Sequence, residues 1–178
     1  MPLSKVALGN SLVALALIVI ACSDDKPASP TSNPGPAPCT ISQLQTTGFS
    51  GSTAPNGVGQ SFVACVDGEV TSIRVATSPA TNPGVFSLGL QSGVGVGAPT
   101  YTETSNLVAG VNNIILTTPF PVMKDSTYSF AIFGTVSFAD QTPGAYPDGD
   151  AFFQTAGGSV TFTSPRPDLL FELQIDTP

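Results

Sequence analysis

The chain of 178 residues contains no histidine and no tryptophan, and only five of its side chains are basic. Without histidine there is no Ser-His-Asp arrangement, no imidazole to act as general base at neutral pH and no histidine-ligated metal. Catalysis is poorly provided for. Without tryptophan the aromatic most used as a sugar platform is missing, which leaves Tyr101, Tyr128, Tyr146 and eleven phenylalanines. Lys and Arg are so few beside twelve carboxylates that no basic stripe exists. That excludes nucleic acid as a partner and disfavours acidic headgroups. Long apolar runs are scarce as well. The run at residues 12–21 reaches about 15 Å as a helix against a hydrocarbon core of about 30 Å, too short to cross a bilayer.

That run is instead the middle of a signal peptide. Residues 1–10 carry Lys5 and no acid, and the apolar stretch leads through Val19-Ile20-Ala21 directly into Cys22, the three-region pattern of an export signal. A branched aliphatic three residues before a cysteine, with a small residue immediately before it, resembles the bacterial lipobox, here VIAC. The resemblance implies that residues 1–21 are removed by signal peptidase II, that the Cys22 thiol receives diacylglycerol and that the new amine is acylated. An ordinary secretory signal with a chance cysteine is the alternative. Two or more acyl chains hold a protein stably on a membrane, at about 0.8 kcal/mol per buried methylene. Ser23 in place of Asp implies, by likeness to enterobacterial lipoproteins, transfer to the outer membrane. The run Cys22-Ser23-Asp24-Asp25-Lys26 also resembles the acidic tag that carries Bacteroidetes lipoproteins to the outer face. The expected location is the bacterial outer membrane, lipid-anchored at the cell surface, with the periplasmic face as the alternative.

Residues 22–38 form the lipidated cysteine and a tether. From Ser23 onward it reads SDDKPASPTSNPGPAP, with five prolines and no large apolar residue, so it supports neither helix nor core. In polyproline II it reaches about 50 Å, enough to lift a domain clear of the headgroups. Residues 39–178 remain for one domain of ordinary size. Once Lys5 leaves with the signal, Lys26, Arg74, Lys124 and Arg166 face twelve acids, a net charge near −8. With Cys22 assigned to lipid, Cys39 and Cys65 are the pair left to bond outside the cytoplasm, where disulfides persist. Closing a loop of about 25 residues contributes about 3.5 kcal/mol in the chain-entropy model.

From Cys39 the chain alternates short runs rich in Val, Ile, Phe, Thr and Tyr with clusters of Gly, Pro, Asn and Asp, which is strand chemistry with turn punctuation. The expected strands are residues 40–46, 60–66, 69–77, 85–91, 100–107, 112–117, 127–133, 151–155, 159–163 and 169–176, with no helical spacing anywhere among them. Alternation assigns faces: Val70, Ser72, Arg74 and Ala76 against Thr71, Ile73, Val75 and Thr77; Phe86, Leu88 and Leu90; Tyr128, Phe130 and Ile132; Leu169, Phe171, Leu173 and Ile175. Asp67-Gly68 between two runs predicts a hairpin through a primed turn. One-sided burial in about ten strands predicts an all-β fold, a two-sheet antiparallel β-sandwich of jelly-roll or Greek-key type. The phrase from Gly59 to Cys65 and then Gly68 to Ile73, followed by Gly110-Val111-Asn112, Pro119-Phe120-Pro121-Val122, Ser126 to Phe130 and Asp168 to Phe171, resembles extracellular β-sandwich modules of Bacteroidetes surface proteins. That resemblance implies fold and setting and carries no activity.

The segment from Ala145 to Ala151 is the most site-like, because Tyr146, Asp148 and Asp150 put an aromatic and two carboxylates in one loop. Such a loop suits hydroxyl-bearing ligands, and with Asp140 or Asp168 nearby it suits calcium at Asp148 and Asp150. It lacks the spacing of an EF-hand, and a turn made of ordinary turn residues accounts for it equally. No other cofactor is expected. Tyr101 is the other candidate platform, and of the adjacent Phe152 and Phe153 one must face away from the core or lie at an edge. The glycine run at residues 93–97 reads as a mobile hairpin connection, since no helix follows it and no P-loop Lys is present. Paired carboxylates also hydrolyse glycosides, but no spacing singles out a pair. The sequence therefore predicts no catalytic residues and a surface lipoprotein whose sandwich is a non-catalytic binding or adhesion module, with a glycan or another envelope protein as partner besides the membrane. A structural subunit of an envelope assembly is the alternative, and a carboxylate glycosidase the third.

Overall fold

The computed structural model of the chain describes residues 35–95, 97–162 and 165–178. The signal segment, Cys22 and most of the tether lie outside the described residues. Within the unit Pro34–Pro178, the described residues form thirteen strands and no helix. They are β1 (Cys39–Gln43), β2 (Gly48–Ser52), β3 (Gly57–Val63), β4 (Gly68–Thr77), β5 (Gly84–Ser92), β6 (Tyr101–Leu107), β7 (Gly110–Val122), β8 (Thr127–Phe133), β9 (Val136–Gln141), β10 (Ala151–Gln154), β11 (Val160–Thr161), β12 (Asp168–Leu169) and β13 (Phe171–Asp176).

All pairings are antiparallel. The first sheet contains β1-β13-β4 with β7 on the far side of β4, and the second contains β3-β8-β5-β6. These eight strands, taken in chain order, switch sheets as the strands of a jelly roll do, so the sandwich expected from alternation is present. The other strands extend both sheets at one end. β9 takes over from β4 as neighbour of the strand that continues β13, through Leu169 opposite Asp140 and then Phe171 opposite Val75, and β2 lies along β9. In the second sheet β10 pairs with β3 and β11 with β10.

Between the sheets the interior is apolar. Leu169, Phe171, Leu173 and Ile175 share the expected face and are fully buried, as are Phe62, Phe130 and Ile132, each worth about 1.5–3 kcal/mol of burial. Phe130 of β8 meets Phe171 of β13 with ring centroids 5.8 Å apart, and Phe120 of β7 stands edge-on to Tyr128 of β8 at 5.9 Å, so aromatic pairs join the two sheets.

Several expectations need correction. Asp67-Gly68 closes no hairpin: β3 and β4 belong to different sheets, neither residue has positive φ, and Asp67 instead accepts a bond from the Lys124 N–H at 2.8 Å. Val70 faces inward with Ile73 and Val75, because Thr71 is an extra residue that both neighbours of β4 skip; a bulge of one residue reverses the face of everything beyond it. β7 runs on to Val122 with its prolines on an edge strand, where a missing donor is tolerated. The glycine run does join the β5–β6 hairpin, but it is packed down: Gly95, at φ 58°, sits where a Cβ would be 2.6 Å from the Phe152 ring, and its carbonyl accepts from Gln154 Nε2. Strands β2 and β9 were not expected at all.

The Cys39–Cys65 disulfide is formed, across a sequence separation of 26, and joins β1 in one sheet to the segment just after β3 in the other. Cys39 lies opposite Ile175, and the Thr177 hydroxyl donates to the Pro36 carbonyl at 2.7 Å, so the chain enters and leaves the domain side by side. Replacing both cysteines by serine should lower unfolding free energy by about 3.5 kcal/mol, read as a lower denaturation midpoint in urea with a slope no shallower than wild type, since the unlinked unfolded chain exposes more surface. An unchanged midpoint would mean the link constrains nothing.

Candidate functional site

Three places gather polar and aromatic side chains. The first is the 142–150 segment between β9 and β10. Tyr146 keeps part of its surface exposed there, in a cleft shared with Gln43, Leu44 and Gln45. It is half-buried, edge-on to Phe171 at 5.4 Å, and its hydroxyl oxygen accepts from the Val63 N–H at 3.4 Å. Burial, opposed by that bond and reinforced by the nearby Asp148 and Asp168 charges, pushes the phenol up to about 12. Asp150 is engaged too: Arg166 Nη1 donates to its Oδ2 at 2.6 Å, while the same guanidinium lies 4.5 Å over the Phe162 ring. Only Asp148 is exposed and unengaged by any described bond. Gly149 is a contact glycine, since a Cβ there would fall 2.0 Å from the Ser61 carbonyl oxygen, and Asp150 and Ser61 exchange backbone and side-chain bonds at 2.9–3.0 Å. No group of three acids, cysteines or histidines placed to hold a metal ion occurs among the described residues.

Asp168 explains why the segment is held so closely. It is buried in the sandwich and accepts from Gln60 Nε2 at 3.1 Å and from the Tyr146 N–H at 2.7 Å. Gln60 in turn accepts the Leu169 N–H at 2.9 Å. Burial raises the Asp168 carboxyl above the ordinary carboxylate range, against the lowering effect of those bonds and with a further rise from Asp150.

The second place is a groove of about 580 Å³ along the open edge of β6, lined by Ser87, Tyr101, Thr102, Glu103, Thr117 and Thr118. The register of β7 against β4 jumps from Ile115 opposite Ser72 to Phe120 opposite Val70. The unpaired residues between, including Thr117 and Thr118, lean across to β6 in the other sheet. Glu103 receives them: the Thr117 hydroxyl donates at 2.5 Å, the Thr117 N–H at 3.0 Å, and the Tyr101 hydroxyl also donates. Partial burial alone would raise the Glu103 carboxyl, but these donors outweigh it and hold it below its ordinary value. Tyr101 is edge-on to Phe120 at 6.2 Å. The cluster therefore ties one sheet to the other.

The third is a cleft of about 340 Å³ between β2 of the first sheet and β10 of the second, lined by Ser52, Thr53, Asn56, Phe153, Thr155 and Thr161 among others. Of the adjacent phenylalanines, Phe152 is buried over Gly59, beneath the glycine run, and Phe153 is the one at the edge, half-exposed and packed against the core. The pair was visible in the sequence; Ser52, Thr53 and Asn56 were not, because β2 reads GFSGS and carries no strand signal of its own. Comparison with models of known protein families and with curated proteins returns no match to this chain. The class defined by fold and surface is a disulfide-linked jelly roll with an inter-sheet cleft.

The two engaged carboxyls should give opposite pH responses. Glu103, lowered, contributes stability above about pH 4 that is lost as pH falls through its folded value, so the gap between wild type and Glu103→Gln should be widest at neutral pH and close in acid. Asp168, raised, makes stability fall as pH rises from about 4 through its folded value, a slope that Asp168→Asn should remove. Urea denaturation at a series of pH values checks both, and pH-independent differences would contradict them.

Proposed function

We propose that the chain is a lipid-anchored envelope lipoprotein whose jelly roll is a non-catalytic binding or adhesion module held at the bacterial surface. In this reading residues 1–21 are the signal, Cys22 carries the lipid, residues 22–38 are the tether and residues 39–178 are the binding domain. The observation that carries it is the polarity of the domain. Its entry at Cys39 is fastened by the disulfide, by the pairing with Ile175 and by the Thr177 bond to Pro36. The cleft beside β2 lies at the other end, where β3 begins at Gly57 and β4 ends at Thr77 beside β9. A module tethered at one end and open at the other suits capture of something beyond the membrane. The acids support a holding role over a chemical one: Glu103, Asp150 and Asp168 each have the partners given above, and Asp140 accepts from the Ser50 hydroxyl.

Metabolic labelling with an alkyne fatty acid tests the anchor. The wild-type protein should take the label and Cys22→Ala should not, and the variant should appear in the soluble fraction. Label persisting on Cys22→Ala would overturn the assignment.

A further inference from the structure

We infer that the cleft between β2 and β10 binds a neutral sugar residue, with the Phe153 ring as its platform. This rests on the reading of the domain as a binding module and gives that module its site and ligand class.

Ser52 belongs to the first sheet, Phe153, Thr155 and Thr161 to the second sheet and its β10–β11 turn, and Thr53 and Asn56 to the turn entering β3. A pocket built from both sheets of a rigid sandwich is preformed, which spares a ligand the cost of ordering it. At about 340 Å³ it lies at the small end of ligand clefts, about 300–1,000 Å³, suited to a sugar end rather than a long chain.

Chemistry narrows the ligand further. The lining holds hydroxyls, one aromatic ring and two carboxamides, of which Gln154 is spent on the Gly95 and Gly97 carbonyls and Asn56 remains, and no charged side chain. A charged ligand would lose its hydration there without gaining a counter-charge. The Ser52 hydroxyl already donates to the Gly134 carbonyl and the Thr155 hydroxyl accepts from the Ser159 N–H, but a wholly apolar ligand would cover the Thr53 and Thr161 hydroxyls and the Asn56 carboxamide without offering them partners. A pyranose satisfies both demands, since its C–H face lies against an aromatic ring while its hydroxyls exchange bonds with Ser, Thr and Asn. Phe153 suits the task because its inner side packs against the core, so the ring is held still. The groove at Tyr101 is the lesser candidate, because the Glu103 carboxylate is already occupied by three donors. Tyr146 has one side against Phe171 and its hydroxyl engaged by the Val63 N–H.

The test is a glycan array probed with the full chain carrying Cys22→Ala, with neutral oligosaccharides set beside sialylated and sulfated ones, and solution titration of the best neutral binder. Binding to neutral glycans is expected. Phe153→Ala should weaken it by about tenfold or more, Asn56→Ala should weaken it without loss of melting temperature, Phe153→Tyr should retain it, and Tyr101→Ala should leave it unchanged. Binding that survives both Phe153→Ala and Asn56→Ala places the site elsewhere and leaves the binding-module reading standing. Binding confined to charged glycans overturns the ligand class. Binding to no glycan overturns this inference, while the anchor is decided separately by the label on Cys22.

Discussion

A buried hydrogen-bonded pair, the Gln60 carboxamide and the Asp168 carboxylate, decides how the far end of this sandwich is built. A carboxylate inside an apolar core costs several kcal/mol unless its oxygens are satisfied. Here Gln60 Nε2 serves one oxygen and the Tyr146 N–H the other. Gln60 also accepts the Leu169 N–H, so its side chain acts for β12 as the backbone of a neighbouring strand would. Through these bonds the stretch between β8 and β13, which adds β9 to one sheet and β10 with β11 to the other, becomes part of the core. The cleft exists because β2 follows β9 and β10 follows β3, each extending its own sheet beyond the eight-strand jelly roll.

The central jelly roll was legible in the sequence because its strands bury one face. The runs at Phe86-Leu88-Leu90, Tyr128-Phe130-Ile132 and Leu169-Phe171-Leu173-Ile175 declare that face by alternation alone, and all of these side chains are buried. The disulfide was legible by elimination. What was hidden depends on long-range pairing. β2 is Gly-Phe-Ser-Gly-Ser, a sequence that becomes a strand only because β9 lies beside it. The Thr71 bulge cannot be seen in an alternating pattern that continues through it, and it moved Val70 to the opposite face. Asp67-Gly68 has the composition of a hairpin turn, but the flanking strands find partners elsewhere, β8 and β10 for β3, β13 and β7 for β4.

The candidate site was the least legible part, for a physical reason. Tyr146, Asp148 and Asp150 look like a binding loop because loops with aromatics and acids are usually free of packing demands. This loop is not free: the buried Asp168 draws the Tyr146 backbone inward and Ser61 fixes Asp150. Phe153 was marked only by its adjacency to Phe152, and its polar neighbours come from a strand that the sequence does not announce. The disulfide braces the Cys39 end of the domain and the cleft of neutral polar groups lies at the opposite one, the polarity on which the proposed surface-module reading rests.

Native-state hydrogen exchange most directly tests whether the β9–β12 stretch is part of the core. The amides of Leu169 and Tyr146, bonded to Gln60 and Asp168, should exchange only as slowly as global unfolding allows, with the same dependence on denaturant as amides in β8. Exchange of these two amides well ahead of β8, through an opening that leaves the eight-strand jelly roll intact, would contradict it: the far end would then be a surface loop and the cleft would not be preformed.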